Sequence, residues 1–205
     1  MPSRFLMGRS SDPRIDPSMP SWSCQPNADP PGPQRRVGTG YCERVTLPDG
    51  TRVVLRPIHA ADQPLVQECL RGVSERTRYL RFHSPRAGLD PEELRSFTDV
   101  DGETRFALGA FLPSSLRLVA VAQFFRGSVA SAGAEIALLV TDALQGKGLG
   151  RLLVSRLREA AAERSITHFA GWVLEENEAM RGFLRTLGAR IGLPSRGVCF
   201  IELAT

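Results

Sequence analysis

The feature that most constrains this chain is the run Gln145-Gly146-Lys147-Gly148-Leu149-Gly150, which joins an apolar strand-like segment over residues 134–140 to an amphipathic helix. The helix is legible in Leu149, Leu152, Leu153, Leu157 and Ala160, which form one apolar stripe, with Arg151, Ser155, Arg158, Glu159 and Glu163 facing away. A glycine-rich turn between a buried strand and a helix start directs several backbone N–H groups at one point, where the helix dipole also favours an anion. Side chains at Gly148 and Gly150 would stand between that backbone and phosphate oxygens, and glycine accepts the dihedrals such a turn demands. Lys147 and Arg151 add positive charge beside it.

Spacing separates the phosphate motifs that compete for this turn. A dinucleotide fingerprint needs GxGxxG or GxGxxA; counted from Gly146 the last position is Arg151, and counted from Gly148 it is Leu153. A P-loop needs Ser or Thr after Gly-Lys, and Gly146-Lys147 is followed by Gly148. Gln-x-x-Gly-x-Gly fits, with Gln145, Gly148 and Gly150 in place, and here the chain resembles the pyrophosphate motif of the GNAT superfamily of N-acetyltransferases.

The surrounding order extends that resemblance over roughly residues 51–203. A strand is predicted over residues 51–57 after the turn Pro48-Asp49-Gly50, then a helix whose Leu65, Val66, Cys69, Leu70 and Val73 share a face. Ser74 reads as the N-cap of a short helix through Tyr79 to Phe82, and Asp90-Pro91-Glu92-Glu93 as a helix start with a capping box. Strands follow over residues 105–112, 116–125 and 134–140, joined as antiparallel neighbours, then the helix after the turn. A strand over residues 168–174, a helix over 178–187 closed by Gly188, and a last strand over 198–203 complete the order. The expected fold is α/β (α+β): a mixed, mostly antiparallel sheet of six to seven strands flanked by about four helices. The segments Val54-Leu55-Arg56-Pro57-Ile58 and Ser74-Glu75-Arg76-Thr77-Arg78-Tyr79-Leu80-Arg81-Phe82 look like the GNAT domains of bacterial protein lysine acetyltransferases.

Residues 1–43 hold eight of the 15 prolines and almost no periodic apolar pattern, so a disordered tail is expected there and the domain over residues 44–205. Met7 and Met19 offer alternative starts. Neither a signal peptide nor a membrane-spanning run is evident, and the expected location is the cytoplasm. Cys24, Cys42, Cys69 and Cys199 are scattered without metal-ligand spacing, so no metal is expected and all four read as reduced thiols. The net charge is +4, and the arginines are spread along the chain beside acids without a dense basic tract, so nucleic acid is not expected as a partner. Lys147 is the sole lysine.

The resemblance implies acetyl-CoA as co-substrate and a primary amine, on a protein lysine or a small molecule, as acceptor. It implies that backbone groups of Leu138, Leu139 and Val140 hold the pantetheine arm in a gap between splayed strands. The segment Gln145, Gly146, Lys147, Gly148, Leu149, Gly150 and Arg151 would hold the pyrophosphate, and Asn177 matches the asparagine of the later family element. Glu135 at the start of its strand is the candidate base, and equally reads as a salt-bridged strand-end carboxylate; Glu175 and Glu176 are alternatives. Many relatives carry a tyrosine seven residues after that asparagine as the acid; here Leu184 stands there, which argues against a strict acid–base pair and leaves room for a catalytically inactive acetyl-CoA-binding regulatory module. Arg76, Arg78 and Arg81 border the acceptor site in the family, or form a solvated face. His59, His83 and His168 read as capping or core residues, and Trp172 and Phe183 as core.

Overall fold

The computed structural model describes residues 37–82 and 89–205. Within them lie eight strands and five α-helices. The strands are β1 (Glu43–Thr46), β2 (Arg52–Pro57), β3 (Arg105–Phe111), β4 (Leu118–Phe125), β5 (Gly133–Val140), β6 (His168–Leu174), β7 (Arg190–Ile191) and β8 (Val198–Ala204). The helices are α1 (Gln63–Arg71), α2 (Glu75–Phe82), α3 (Pro91–Thr98), α4 (Leu149–Ala162) and α5 (Glu178–Thr186). All strands join one sheet in the order β1-β2-β3-β4-β5-β6-β8-β7. Every neighbouring pair is antiparallel except β5–β6, the one connection made through a long helix.

The two sheet faces are covered unequally. On one, Phe106, Phe124, Phe169 and Leu203 pack against Leu149, Leu153 and Leu157 of α4, which the helical stripe anticipates. Nearby, α5 contributes Leu184 to a smaller cluster with Val173, Cys199 and Ile201. On the other face α1 and α3 cover Ala107, Val121 and Leu139 through Val66, Leu70 and Phe97. The capping box at Asp90 forms as the residues suggest: its carboxylate accepts from the Glu92 and Glu93 N–H groups, and Glu93 accepts from the Asp90 N–H at 3.0 Å.

Three expectations change. The tail expected to end at residue 43 falls mostly outside the described residues, yet Val37 is fully buried (0% exposed) and Tyr41 joins the same core, so packing begins earlier than the proline content suggests. Strands β1 and β7 raise the strand count to eight; four and two residues long, they show too little alternation to stand out. Cys69 and Cys199 are free and buried and Cys24 lies outside the described residues, but Cys42 is disulfide-bonded, which sequence spacing does not reveal because it carries no information on spatial proximity. Among the described residues no helix is long and apolar enough to cross a membrane.

The stripe on α4 sets the position of the turn that precedes it. Leu157, wholly buried against the sheet, should lose roughly 2–5 kcal/mol of stability on Leu157→Ala, whereas Ser155→Ala on the exposed side should stay within about 0.5 kcal/mol, by denaturant unfolding.

Candidate functional site

After β5 the chain makes a single 3-10 turn over Asp142–Leu144, extends at Gln145, and then takes left-handed backbone at Gly146 (φ 73°) and Gly148 (φ 86°). Gly148 is the N-cap of α4 and supplies no capping side chain, and no acidic residue sits in the helix's first turn. Leu152 is the first N–H to reach back, to the Gly148 carbonyl at 3.1 Å, so the N–H groups of Leu149, Gly150 and Arg151 have no intrahelical acceptor. They emerge at the positive end of a 14-residue helix.

Side chains around the turn brace it. Gln145 Nε2 donates to the Val140 carbonyl at 3.0 Å and reaches Thr77 Oγ1 at 3.4 Å, tying the turn to β5 and α2. Asp142 accepts from the Ser74 N–H (2.8 Å), Ser74 Oγ (2.8 Å) and Thr77 Oγ1 (2.6 Å), so one carboxylate docks the start of α2. Burial alone would raise the Asp142 carboxyl, but these donors outweigh it and hold its pKa below the ordinary value. Lys147 Nζ pairs with Asp49 at 3.0 Å. The Thr51 N–H and this ammonium lower the Asp49 carboxyl to about 2. Lys147 is thus tethered to the turn before β2, while the Leu149 side chain is buried in the core.

The second element of the site is a break in the sheet. Parallel pairing between β5 and β6 lasts three residue pairs and ends at Glu135↔Ala170. Beyond that point β5 stays paired with β4 through Ala120↔Val140. The Thr141 N–H donates to the Val119 carbonyl, so by strand alternation the backbone of Leu139 also faces β4, while that of Leu138 and Val140 faces the gap. Of the three residues expected to meet the pantetheine arm, all line the cavity at this gap, Leu139 with its backbone turned to β4. A cavity of about 460 Å³ runs from Gly146, Gly148 and Gly150 to Leu138 and Val140, and a second of about 470 Å³ fills the splay between Ile136 and Trp172. Both are lined by Leu80, Arg81, Leu138, Asn177, Met180 and Phe183, which makes them one continuous cleft. Asn177 caps α5, its Oδ1 accepting from the Met180 N–H at 3.1 Å.

Glu135 lies where the pairing ends and lines the splay. Facing it from α2 is Arg81, whose Nε is buried without a hydrogen-bond partner. Burial pushes the Arg81 guanidinium down to about 10, opposed by the negative charge of Glu135. Arg76, Arg78 and Arg81 are alike in sequence; Arg81 alone stands four residues from Thr77, on the side of α2 that lines the cleft. The other two arginines differ: Arg78 donates to the carbonyls of Leu70 (3.4 Å) and Val73 (3.1 Å) at the end of α1, and Arg76 is exposed. Glu175 and Glu176 are exposed and line neither part of the cleft. His59 caps the turn before α1, His168 packs against Gly133, and His83 lies outside the described residues. Leu184 is apolar core, at 7% exposure. Trp172, expected in the core, is instead 58% exposed, on the side of β6 opposite the buried Phe169 and Val173; Phe183 is partly buried at the cleft wall.

Comparison with known proteins agrees with this fold. The model of the acetyltransferase (GNAT) family matches residues 74–189. Acetyltransferase Pat of Mycolicibacterium smegmatis is 32% identical over 166 residues, 78% of this chain and 47% of that protein, so the chain spans about half of Pat's length. An acetyltransferase of Pseudomonas aeruginosa is 26% identical over 145 residues, covering 70% of this chain and 77% of that protein. The crystal structure of the GNAT domain of S. lividans PAT superposes with a TM-score of 0.76 at 28% identity, over 80% of this chain and 97% of that one.

The carboxylate that docks α2 gives the site a pH signature. A depressed folded-state pKa contributes stability above the unfolded value and loses it as pH falls through the folded one. Asp142→Asn should therefore be less stable than the parent at pH 7, and the difference should shrink on acidification below about pH 4, by denaturant unfolding of both proteins.

Proposed function

Because the chain belongs to the GNAT acetyltransferase family, we propose that it transfers an acetyl group from acetyl-CoA to a primary amine by direct attack in a ternary complex, and that the amine is a protein lysine. The observation that carries this reading is the cleft itself: backbone freed where β5 leaves β6, with an anion cradle at one end and a carboxylate at the other. The protein-lysine preference rests on the likeness of residues 54–58 and 74–82 to bacterial protein lysine acetyltransferases.

The residues fit the donor. Free N–H groups at residues 149–151, without a competing acid in the first turn, suit a pyrophosphate. Gly148 keeps the left-handed backbone that aims them, and Arg151, on the cleft wall, adds a cation. Leu138 and Val140 offer backbone to a pantetheine arm laid along β5, and an N–H on that edge serves a carbonyl oxygen as charge develops on it. When bound, acetyl-CoA supplies the activated acyl group as a thioester.

The chain's own residues then act on the acceptor. A lysine-like amine, with a pKa of about 10.4, must lose a proton before it attacks. Glu135 takes that proton at the splay. The Arg81 guanidinium beside it disfavours a second cation in the same cleft, which eases that proton loss. With Leu184 where an acid would stand, the thiol departs as thiolate, which a pKa of about 8.5 permits.

Two measurements test this. Acetyl-CoA at 100 times its dissociation constant should stabilise the protein by about 2.7 kcal/mol, and an absent thermal shift at millimolar concentration would refute the donor assignment. Glu135→Gln should lower turnover in a thiol-release assay on the order of 100-fold at neutral pH while acetyl-CoA affinity holds.

A further inference from the structure

Strand register assembles a surface that the donor cleft does not use. Arg105, Phe125, Glu135, Ala170, Glu202 and Arg190 are successive cross-strand partners over β3, β4, β5, β6, β8 and β7, so their side chains project from one face. Trp172 and Phe200, themselves paired, lie two residues farther along β6 and β8 on that face. The opposite face of the same strands is filled by α4 and α5, while on this one α1 and α3 pack over Ala107, Phe111, Leu118, Val121 and Leu139 and α2 reaches the splay beside Glu135. Three large aromatic side chains are consequently open to solvent: Trp172 is 58% exposed, Phe125 45% and Phe200 43%. Trp172 and Phe200 meet edge to face at 5.1 Å.

This face is continuous with the reaction cleft. Glu135 and Trp172 line the splay, and both also line a cavity of about 370 Å³ on the open face with Phe125 and Phe200. The turn that fits the donor occupies the other end of the cleft, so an acceptor enters here.

Building on the acetyl-transfer reading, we propose that the uncovered Trp172–Phe200 face, with Glu202 and Glu135, is the docking surface for a separate protein that presents an exposed lysine. Charge and shape single out this occupant. Two carboxylates stand in the middle of the row; of the cations flanking them, Arg105 lies over the Phe125 ring at 5.1 Å, and Arg190, itself 89% exposed, reaches Glu202 only at 4.0 Å. A lysine stem lies along aromatic rings while its ammonium meets ring faces and carboxylates. The surface is open rather than enclosed, and exposed aromatic patches of this kind are where protein interfaces place their anchors. A second copy does not meet the requirement, since its only lysine, Lys147, is paired with Asp49 at the donor end.

The test uses the full chain carrying Trp22→Phe, which leaves Trp172 as the only tryptophan. Titration with an N-terminally blocked peptide containing one lysine should quench Trp172 fluorescence in the absence of acetyl-CoA. In steady state, Phe200→Ala and Glu202→Lys should each raise KM for that peptide by about tenfold or more, with acetyl-CoA affinity unchanged. The proposal is overturned if both variants keep the parental peptide KM, if spermidine quenches Trp172 as strongly as the peptide, or if light scattering shows a dimer that Phe200→Ala dissociates. Failure of the underlying reading is distinct: peptide quenching would persist while no thiol is released on any amine.

Discussion

The arrangement depends on a strand pair that stops. β5 and β6 are the only parallel neighbours among the described strands, and their ladder ends after three pairs at Glu135↔Ala170. Backbone N–H and C=O groups withdrawn from a ladder are costly unless something else satisfies them. On the β4 side β5 remains fully paired, so the freed groups are those of alternate residues, Leu138 and Val140, and Gln145 already takes the Val140 carbonyl. A gap of this kind persists only because both of its walls are anchored elsewhere: β5 by β4 and by α4 beneath it, β6 by β8 and α5. The same α4 that fills the core also begins at the turn whose N–H groups face the cleft. Structural and chemical demands therefore meet at Leu149 and Gly150, one buried in the core and the next on the cavity wall.

Polarity along the cleft follows from what surrounds each charge. The donor end carries helix-terminal N–H groups and Arg151 without an opposing acid in the first turn of α4. The acceptor end carries Glu135 and a buried arginine, Arg81, whose Nε has no hydrogen-bond partner. Asp142 holds α2 so that Thr77 meets the turn and Arg81 meets the splay. One carboxylate outside the cleft thus sets the spacing between its two ends.

Much of this was legible in the residues. The α4 stripe, the Asp90 capping box, the Ser74 cap and the strands over residues 105–140 follow from periodicity and capping chemistry, which are local. The turn was legible because its spacing excludes rival phosphate motifs. What escaped were facts of tertiary context. Trp172 reads as core in an apolar strand, yet it lies exposed on the side of β6 opposite the buried Phe169 and Val173. Arg76, Arg78 and Arg81 are chemically alike in sequence, yet one is exposed, one caps α1 and one enters the cleft. Leu139 appeared equivalent to its neighbours until the register with β4 showed which way its backbone points. Val37 and Tyr41 looked like part of a tail because two apolar residues carry no period.

The central claim is that the donor lies along freed β5 backbone and against the first N–H groups of α4. Amide hydrogen exchange with and without saturating acetyl-CoA tests it residue by residue. The account predicts slowed exchange at Leu138 or Val140 together with residues 149–151, while Leu139, already facing β4, changes little. Protection confined to other segments, or none at these amides while acetyl-CoA is bound, would contradict it.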